Sequence, residues 1–373
     1  MRHISVPYLD LRVKDYELKK RLLSRLETIL DHGQFLVGPE QIEFEEKFAK
    51  EIGVKYALGV SSGSSALYLA LLALGIGPDD EVITTPYTWI ITTNAIAAVG
   101  AIPVFVDVRD DYNIDPDAIK KAITPKTKAI LPMHVAGHMC DMTSIYKIAN
   151  DNNLLIIEDA AQGFCTTLNG RRAGSFSHAA GFSMNPMKIL HAYGEAGVVV
   201  TNSKKVFETI KQLRHAGTKR YLNNNQHINR CNYIALNHKI DTIQASFLIE
   251  EMGRINEIKA KRDEIAKYYD VKLPKLGCKP QQIAHGEIHG RYFYMLTCNN
   301  RNQLFNYLTS MNIECKLFYS PLVCDAPVYK SQVKPKLPVA RRLLKKSLSI
   351  PMHENMTMDQ AEYVVDCITE FYS

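Results

Sequence analysis

Between residues 56 and 201 the chain alternates short apolar runs with stretches of helical character, and this alternation most limits the folds open to it. The runs at 56–60, 81–84, 102–106, 128–132 and 154–157 are four or five residues long and bounded by turn residues. Helical patterns at 66–74, 92–99, 117–122 and 142–150 separate them, and runs at 179–183 and 197–201 add two further strands. Short strands that are apolar on both faces and alternate with helices bury both faces of one sheet. The pattern predicts an α/β fold with a mainly parallel sheet covered by helices on each side.

The flanks read differently. Residues 15–32 carry one apolar stripe, Leu18, Leu22, Leu26, Ile29 and Leu30, ended by Gly33. A second amphipathic helix opens at Pro39 and closes before Gly53, as the roles of Pro and Gly at helix ends predict. Residues 214–237 are polar and Asn-rich and read as a long surface loop. From 241 to 269 the pattern is helical, as two helices or one bent near Gly253. A strand at 292–297 and helices at 303–310 and 358–371 then suggest a smaller α+β unit. The expected division is a large domain over 1–250 and a small C-terminal domain over 251–373, with the helix at 15–32 able to pack on the latter.

Composition excludes several classes. The 373 residues are 46% hydrophobic and 23% charged, ordinary for a globular protein, and the net charge of +6 is spread along the chain, which argues against nucleic-acid binding. No apolar stretch is long enough to span a bilayer, and the first residues lack the apolar core of a signal peptide, so a cytoplasmic location is expected. The 8 cysteines show no CxxC and the 12 histidines no HExxH, so no metal site is expected. Neither GxGxxG nor GxxxxGK[ST] occurs.

Four segments at predicted strand ends carry chemistry. Ser61-Ser62-Gly63-Ser64-Ser65 links a strand to a helix start, where free backbone N–H groups and the helix dipole favour an anion such as phosphate. Pro86-Tyr87-Thr88-Trp89 holds the only Trp, which can stack on a flat ring. Asp159 ends the run Leu154–Asp159, and Lys188 follows 29 residues later in Ser183-Met184-Asn185-Pro186-Met187-Lys188. A strand-end carboxylate can keep a pyridine nitrogen protonated, and a loop lysine can hold pyridoxal phosphate (PLP) as a Schiff base and move protons. In open α/β sheets ligands sit at the carboxyl ends of strands, where all four segments fall.

With these residues in view, the chain resembles the DegT/DnrJ/EryC1/StrS aminotransferases, PLP-dependent enzymes of nucleotide-sugar metabolism. The resemblance runs through Ser62–Leu67, Leu74-Gly75-Ile76-Gly77-Pro78-Asp79-Asp80-Glu81-Val82-Ile83, Tyr87-Thr88-Trp89, Pro103–Asp107, Glu158-Asp159-Ala160-Ala161-Gln162, Gly194-Glu195-Ala196-Gly197 and Tyr319-Ser320-Pro321-Leu322. It implies the aspartate aminotransferase-like fold (fold type I), with PLP or its amino form PMP as cofactor. Residue by residue, it implies Lys188 as the attachment lysine, Asp159 on the ring nitrogen, Trp89 on the ring face, Gln162 near the ring hydroxyl, and Gly63, Ser64 and Ser183 on the phosphate. Asn237 would reach the cofactor phosphate of a neighbouring subunit, which implies a homodimer. Tyr319 and Glu195 are the candidate substrate contacts. Three positions depart from the family pattern: Ser64 for Thr, Ala196 for Gly, and Val323 for the His that follows Pro-Leu.

The implied reaction moves an amino group from an amino acid, with L-glutamate expected, to a keto nucleotide sugar. The segments on either side of Lys188 look most like those of enzymes acting on 3-keto UDP-N-acetylglucosamine derivatives in lipopolysaccharide or surface-glycan synthesis. Two rivals share the fold: a PMP-dependent sugar dehydratase, which has His at the lysine position, and a catalytically inactive binding homologue. Lys188 speaks against the first and the Asp159–Lys188 pair against the second.

Overall fold

The computed structural model describes residues 4–219, 222–223, 226–227, 230–329 and 335–373. Two helices open the chain, α1 (Tyr16–His32) and α2 (Pro39–Ile52). The side chain of Asp15 accepts the Leu18 N–H at the start of α1, and Gly33 and Gly53 close the two helices in the left-handed conformation that glycine adopts without steric cost.

The alternating region follows as β1 (Tyr56–Val60), α3 (Gly63–Ala73), β2 (Glu81–Thr84), α4 (Ile90–Ala98), β3 (Ile102–Phe105), α5 (Pro116–Ala122), β4 (Thr127–Leu131), α6 (Met142–Asp151), β5 (Leu155–Asp159), β6 (Ala179–Ser183), β7 (Gly197–Thr201) and α7 (Lys204–Leu213). The seven strands form one sheet in the order β1-β7-β6-β5-β4-β2-β3. Pairings among β2 to β6 are parallel, whereas β7 runs antiparallel to both β1 and β6.

Alternate side chains sort the two faces. Leu58, Val82, Leu131, Ile157 and Val199 pack on α3, α4 and α7. On the other face Ala57, Phe182 and Val198 join Phe44 and Phe48 of α2, while Ile83, Ile130 and Ile156 join α5 and α6. The sheet is thus covered on both sides, as the strand composition predicts.

A long helix, α8 (Thr242–Lys272), follows, capped by the Asp241 side chain on the Gln244 N–H. It is one helix of 31 residues that continues through Gly253, so the alternative of two helices is not what forms. Its buried face, which also takes in Glu251 and Arg262, spans two cores, with Leu248, Ile255 and Ile258 in the first and Ile265 and Tyr269 in a second. Helix α1 lies along its early turns, where Arg21 and Arg25 pair with Glu250.

The second core is closed by β8 (Tyr294–Thr297), α9 (Arg301–Ser310), β9 (Ser347–Ile350) and α11 (Met358–Tyr372), whereas α10 (Pro338–Lys346) packs Ala340 and Leu343 on the first core. Strand β8 lies between β9 and the short strand Lys279–Pro280, antiparallel to both.

The stretch expected as a long loop contains short antiparallel pairings, Thr218–Lys219 with Arg230–Cys231 and Leu222–Asn223 with Gln226–His227. Asn224 and Asn225 of its Asn run lie outside the described residues. Among the described residues no helix is long and apolar enough to cross a membrane.

Candidate active site

A cavity of about 360 Å³ opens at the carboxyl ends of the strands, and nine of the ten singled-out residues line it: Gly63, Ser64, Trp89, Asp159, Gln162, Ser183, Lys188, Glu195 and Tyr319. The tenth, Asn237, is exposed and sits elsewhere. It pairs with His215 in an isolated bridge, and its side-chain oxygen accepts the Lys239 N–H at 3.4 Å.

One end of the cavity is the N-terminus of α3. The Ser62 hydroxyl caps this helix by accepting the Ser65 N–H at 3.1 Å, which leaves the N–H groups nearer the tip facing outward. The backbone is drawn in closely here. A Cβ on Gly63 would lie 2.6 Å from Ser183 Cβ, and one on Gly197 would lie 2.3 Å from the Ser62 carbonyl oxygen. Only glycines allow the strand ends of β1, β6 and β7 to come together around this helix tip, and the result is a small polar cradle suited to a phosphate.

Asp159 ends β5 at the cavity floor, almost fully buried. One carboxylate oxygen accepts the Thr92 hydroxyl at 2.7 Å and the other the Ala161 N–H at 3.1 Å. Burial raises the affinity of this carboxyl for a proton, and the Thr92 and Ala161 hydrogen bonds and the Lys188 charge act against that rise. Glu158 beside it is also buried. It accepts from Gly174 N–H, Phe176 N–H and the Ser177 hydroxyl and meets His134 at 2.9 Å, which fixes the strand end.

Lys188 Nζ enters the same cavity and donates to the Tyr292 hydroxyl at 3.1 Å, with the Tyr292 ring centroid 4.4 Å away. Burial lowers the lysine pKa to about 8, against the pull of the Asp159 and Glu195 carboxylates. An amine so placed is free of its proton far more often than a surface lysine, as a nucleophile and base must be.

Gln162 is held at both ends. Its oxygen accepts the Ala136 N–H at 2.7 Å, and its amide nitrogen donates to the Tyr319 hydroxyl. Glu195 accepts from Asn185 at 2.7 Å. Trp89 is 62% exposed, so it is no core residue; it precedes α4 at the cavity mouth.

Two contributors escaped the sequence reading. Thr92 reads only as the start of a helix, where a hydroxyl gives no sign of a partner far along the chain. Tyr292 is one of 19 tyrosines and lies 104 residues from Lys188, so spacing carries no signal.

Residues 16–369 match the sequence profile of the DegT/DnrJ/EryC1/StrS aminotransferase family. The chain belongs to that family. Its relatives include the UDP-2-acetamido-2-deoxy-3-oxo-D-glucuronate aminotransferase of Pseudomonas aeruginosa, 32% identical over 97% of this chain and 98% of that protein. Among solved structures, S. venezuelae DesV in complex with a ketimine intermediate superposes with a TM-score of 0.93 at 33% identity, covering 99% of each chain. NtdA of Bacillus subtilis with bound cofactor PMP gives a TM-score of 0.91 at 27% identity, covering 99% of this chain and 85% of that one.

The family implies a pyridoxal cofactor, and the residues present fit one. The glycine-lined cradle at the tip of α3 is suited to a phosphate. Asp159 accepts one neutral donor on each oxygen, which leaves a buried carboxylate whose ionised form is suited by a cationic N–H partner. The lowered basicity of Lys188 suits an amine that must condense with an aldehyde.

Proposed function

We propose that this chain transfers an amino group from L-glutamate to a 3-keto UDP-N-acetylglucosamine derivative, in the synthesis of aminosugars for surface glycan or lipopolysaccharide. It is a sugar aminotransferase, and its cofactor is PLP, alternating with PMP. The observation that carries the reading is the meeting of Lys188 Nζ, the Asp159 carboxylate and the glycine-built cradle in one cavity. The choice of acceptor is supported by the P. aeruginosa relative, whose name describes a 3-oxo UDP-sugar acid.

Each residue then has a task. Gly63, Ser64 and Ser183 hold the cofactor phosphate, Trp89 covers the ring, Gln162 faces the ring hydroxyl, and Asp159 carries the charge opposite the ring nitrogen. Bound PLP supplies an electron sink that lets a proton leave the carbon beside the transferred nitrogen. Lys188 attaches the cofactor at rest and, once displaced by the amino donor, takes up and returns that proton on Nζ. Tyr319 and Glu195 line the side from which the sugar enters. Asn237 serves the cofactor phosphate of a second copy of the chain in a homodimer, which fits its exposed place outside the lining of its own subunit's cavity.

The test is direct. Purified protein loaded with PLP absorbs at roughly 410–430 nm, an approximate range set by the cofactor's chemistry. Borohydride then fixes the cofactor to the peptide that contains Lys188. Incubation with L-glutamate and a panel of 3-keto and 4-keto UDP- and dTDP-sugars identifies the acceptor. Turnover confined to 4-keto or dTDP substrates would overturn the proposed acceptor, and cofactor fixed elsewhere than Lys188 would overturn the site.

A further inference from the structure

Tyr292 is held more firmly than cavity lining requires. Its N–H donates to the Ala136 carbonyl at 3.2 Å, in the turn after β4. Its own carbonyl accepts from the Arg262 guanidinium at 3.2 Å. Arg262 is an almost fully buried arginine of α8 that also bonds the Met352 carbonyl and the Glu354 carboxylate. The Tyr292 ring packs on Phe293 with centroids 3.7 Å apart. The phenol is therefore fixed from the large sheet on one side and from α8 on the other, and it meets the amine of Lys188 with both its oxygen and its ring face.

We infer that Tyr292 acts directly on the reacting amine, holding Lys188 Nζ in place while that nitrogen carries a proton and is detached from the cofactor. The inference rests on the reading of Lys188 as the lysine that bears the cofactor. A charged amine donates to the phenol oxygen and lies against the negative face of the ring, and both contacts favour the ammonium form. A neutral amine can accept from the same hydroxyl, so the partner serves in both states. Burial holds the phenol proton well above the ordinary tyrosine range, so Tyr292 stays a neutral partner and does not compete for the charge. The carboxylates facing the amine come from other elements, Asp159 at the end of β5 and Glu195 before β7. Without Tyr292 a freed Nζ would be drawn toward those carboxylates and away from the position between cofactor and substrate.

The experiment compares wild type with Tyr292→Phe and Tyr292→Met. In cofactor-free, full-length protein, Lys188 is titrated by amine acylation at a series of pH values with peptide mass spectrometry. The midpoint is expected near 8 in wild type, lower by about half a unit or more in Tyr292→Phe, and lower again in Tyr292→Met, which loses the ring as well. In PLP-loaded protein, exchange of the α-proton of L-glutamate in D2O is expected to slow by about tenfold or more in Tyr292→Phe, with cofactor content unchanged. The phenylalanine variant keeps the packing on Phe293, and its melting temperature checks the fold. A Lys188 midpoint identical in wild type and both variants would overturn the inference. Failure of the functional reading would appear separately, as wild-type protein that borohydride does not label on Lys188.

Discussion

The Thr92 hydroxyl donates to Asp159 across 2.7 Å and is itself within 2.6 Å of the Thr88 hydroxyl. It links the start of α4 to the end of β5 and helps keep the buried carboxylate ionised. Thr92→Val removes that donor and leaves one carboxylate oxygen short of a partner. Cofactor binding is expected to weaken by about 1–3 kcal/mol, on the order of ten- to a hundredfold, measured by equilibrium titration of apoprotein with PLP.

Lys188→Ala removes the amine proposed as both attachment point and proton carrier. Turnover is expected to fall by at least about 10²–10⁴-fold, the usual range for a proton-transfer group. The protein should still bind PLP through the cradle and Asp159, yet lose the covalent adduct after borohydride; mass spectrometry of the reduced protein checks this.

Gly197 stands where a Cβ would meet the Ser62 carbonyl at 2.3 Å and the Gly63 nitrogen at 2.7 Å. Both are backbone atoms and cannot rotate away. Gly197→Ala is expected to cost about 1–3 kcal/mol of stability and to push the cradle open. Thermal melting with and without PLP reads both effects: a lower apo melting temperature and a smaller gain on adding cofactor.

His138 is a pH-dependent stabiliser outside the catalytic cavity. Burial works to lower its pKa, but Asp111 and Glu287 overcome that and hold it at about 9. Nδ1 lies 2.7 Å from Glu287, close enough for an ion pair though off the line of a good hydrogen bond. A folded pKa above the unfolded value of about 6.5 gives stability that is fully present below that value and lost as pH rises through 9. The shift corresponds to at most about 3 kcal/mol. The melting-temperature gap between wild type and His138→Gln should be widest below pH 6.5 and close above pH 9.

Asn237 offers a test of the homodimer. If it completes the site of a second copy, Lys188→Ala and Asn237→Ala subunits can pair to give one site with both residues intact. Mixed dimers are expected to be more active than either parent. Activity no higher than that of the parents would remove Asn237 from the neighbouring site.

Much of this arrangement is legible in the sequence because it is local. Strand ends, the Ser/Gly turn before α3 and helices α1 and α2 are set by neighbouring residues, and their positions agree with the structure to within a few residues, although Leu30 of the expected α1 stripe is exposed and only Leu18, Leu22 and Ile29 are buried. Direction is not local: nothing in Gly197–Thr201 distinguishes a parallel strand from the antiparallel one it forms. The continuity of α8 past Gly253 is set by a buried face that spans two cores, which outweighs the preference of a single glycine. Thr92 and Tyr292 were missed for a related reason. Their meaning lies in partners 67 and 104 residues away, and only the closed sheet brings these together.

The placement of β7 also bears on the order in which the molecule can be built. Strand β1 has β7 as its sheet neighbour, and β7 separates it from β6. The helix tip that follows β1 and the Ser183 that ends β6 are therefore held at their working distance by a strand synthesised after both. A growing chain that has not yet delivered residues 197–201 from the ribosome holds the cradle's parts without the strand that spaces them. On the proposed reading, capture of the phosphate waits for residues 197–201, made after the two strands that they come to lie between.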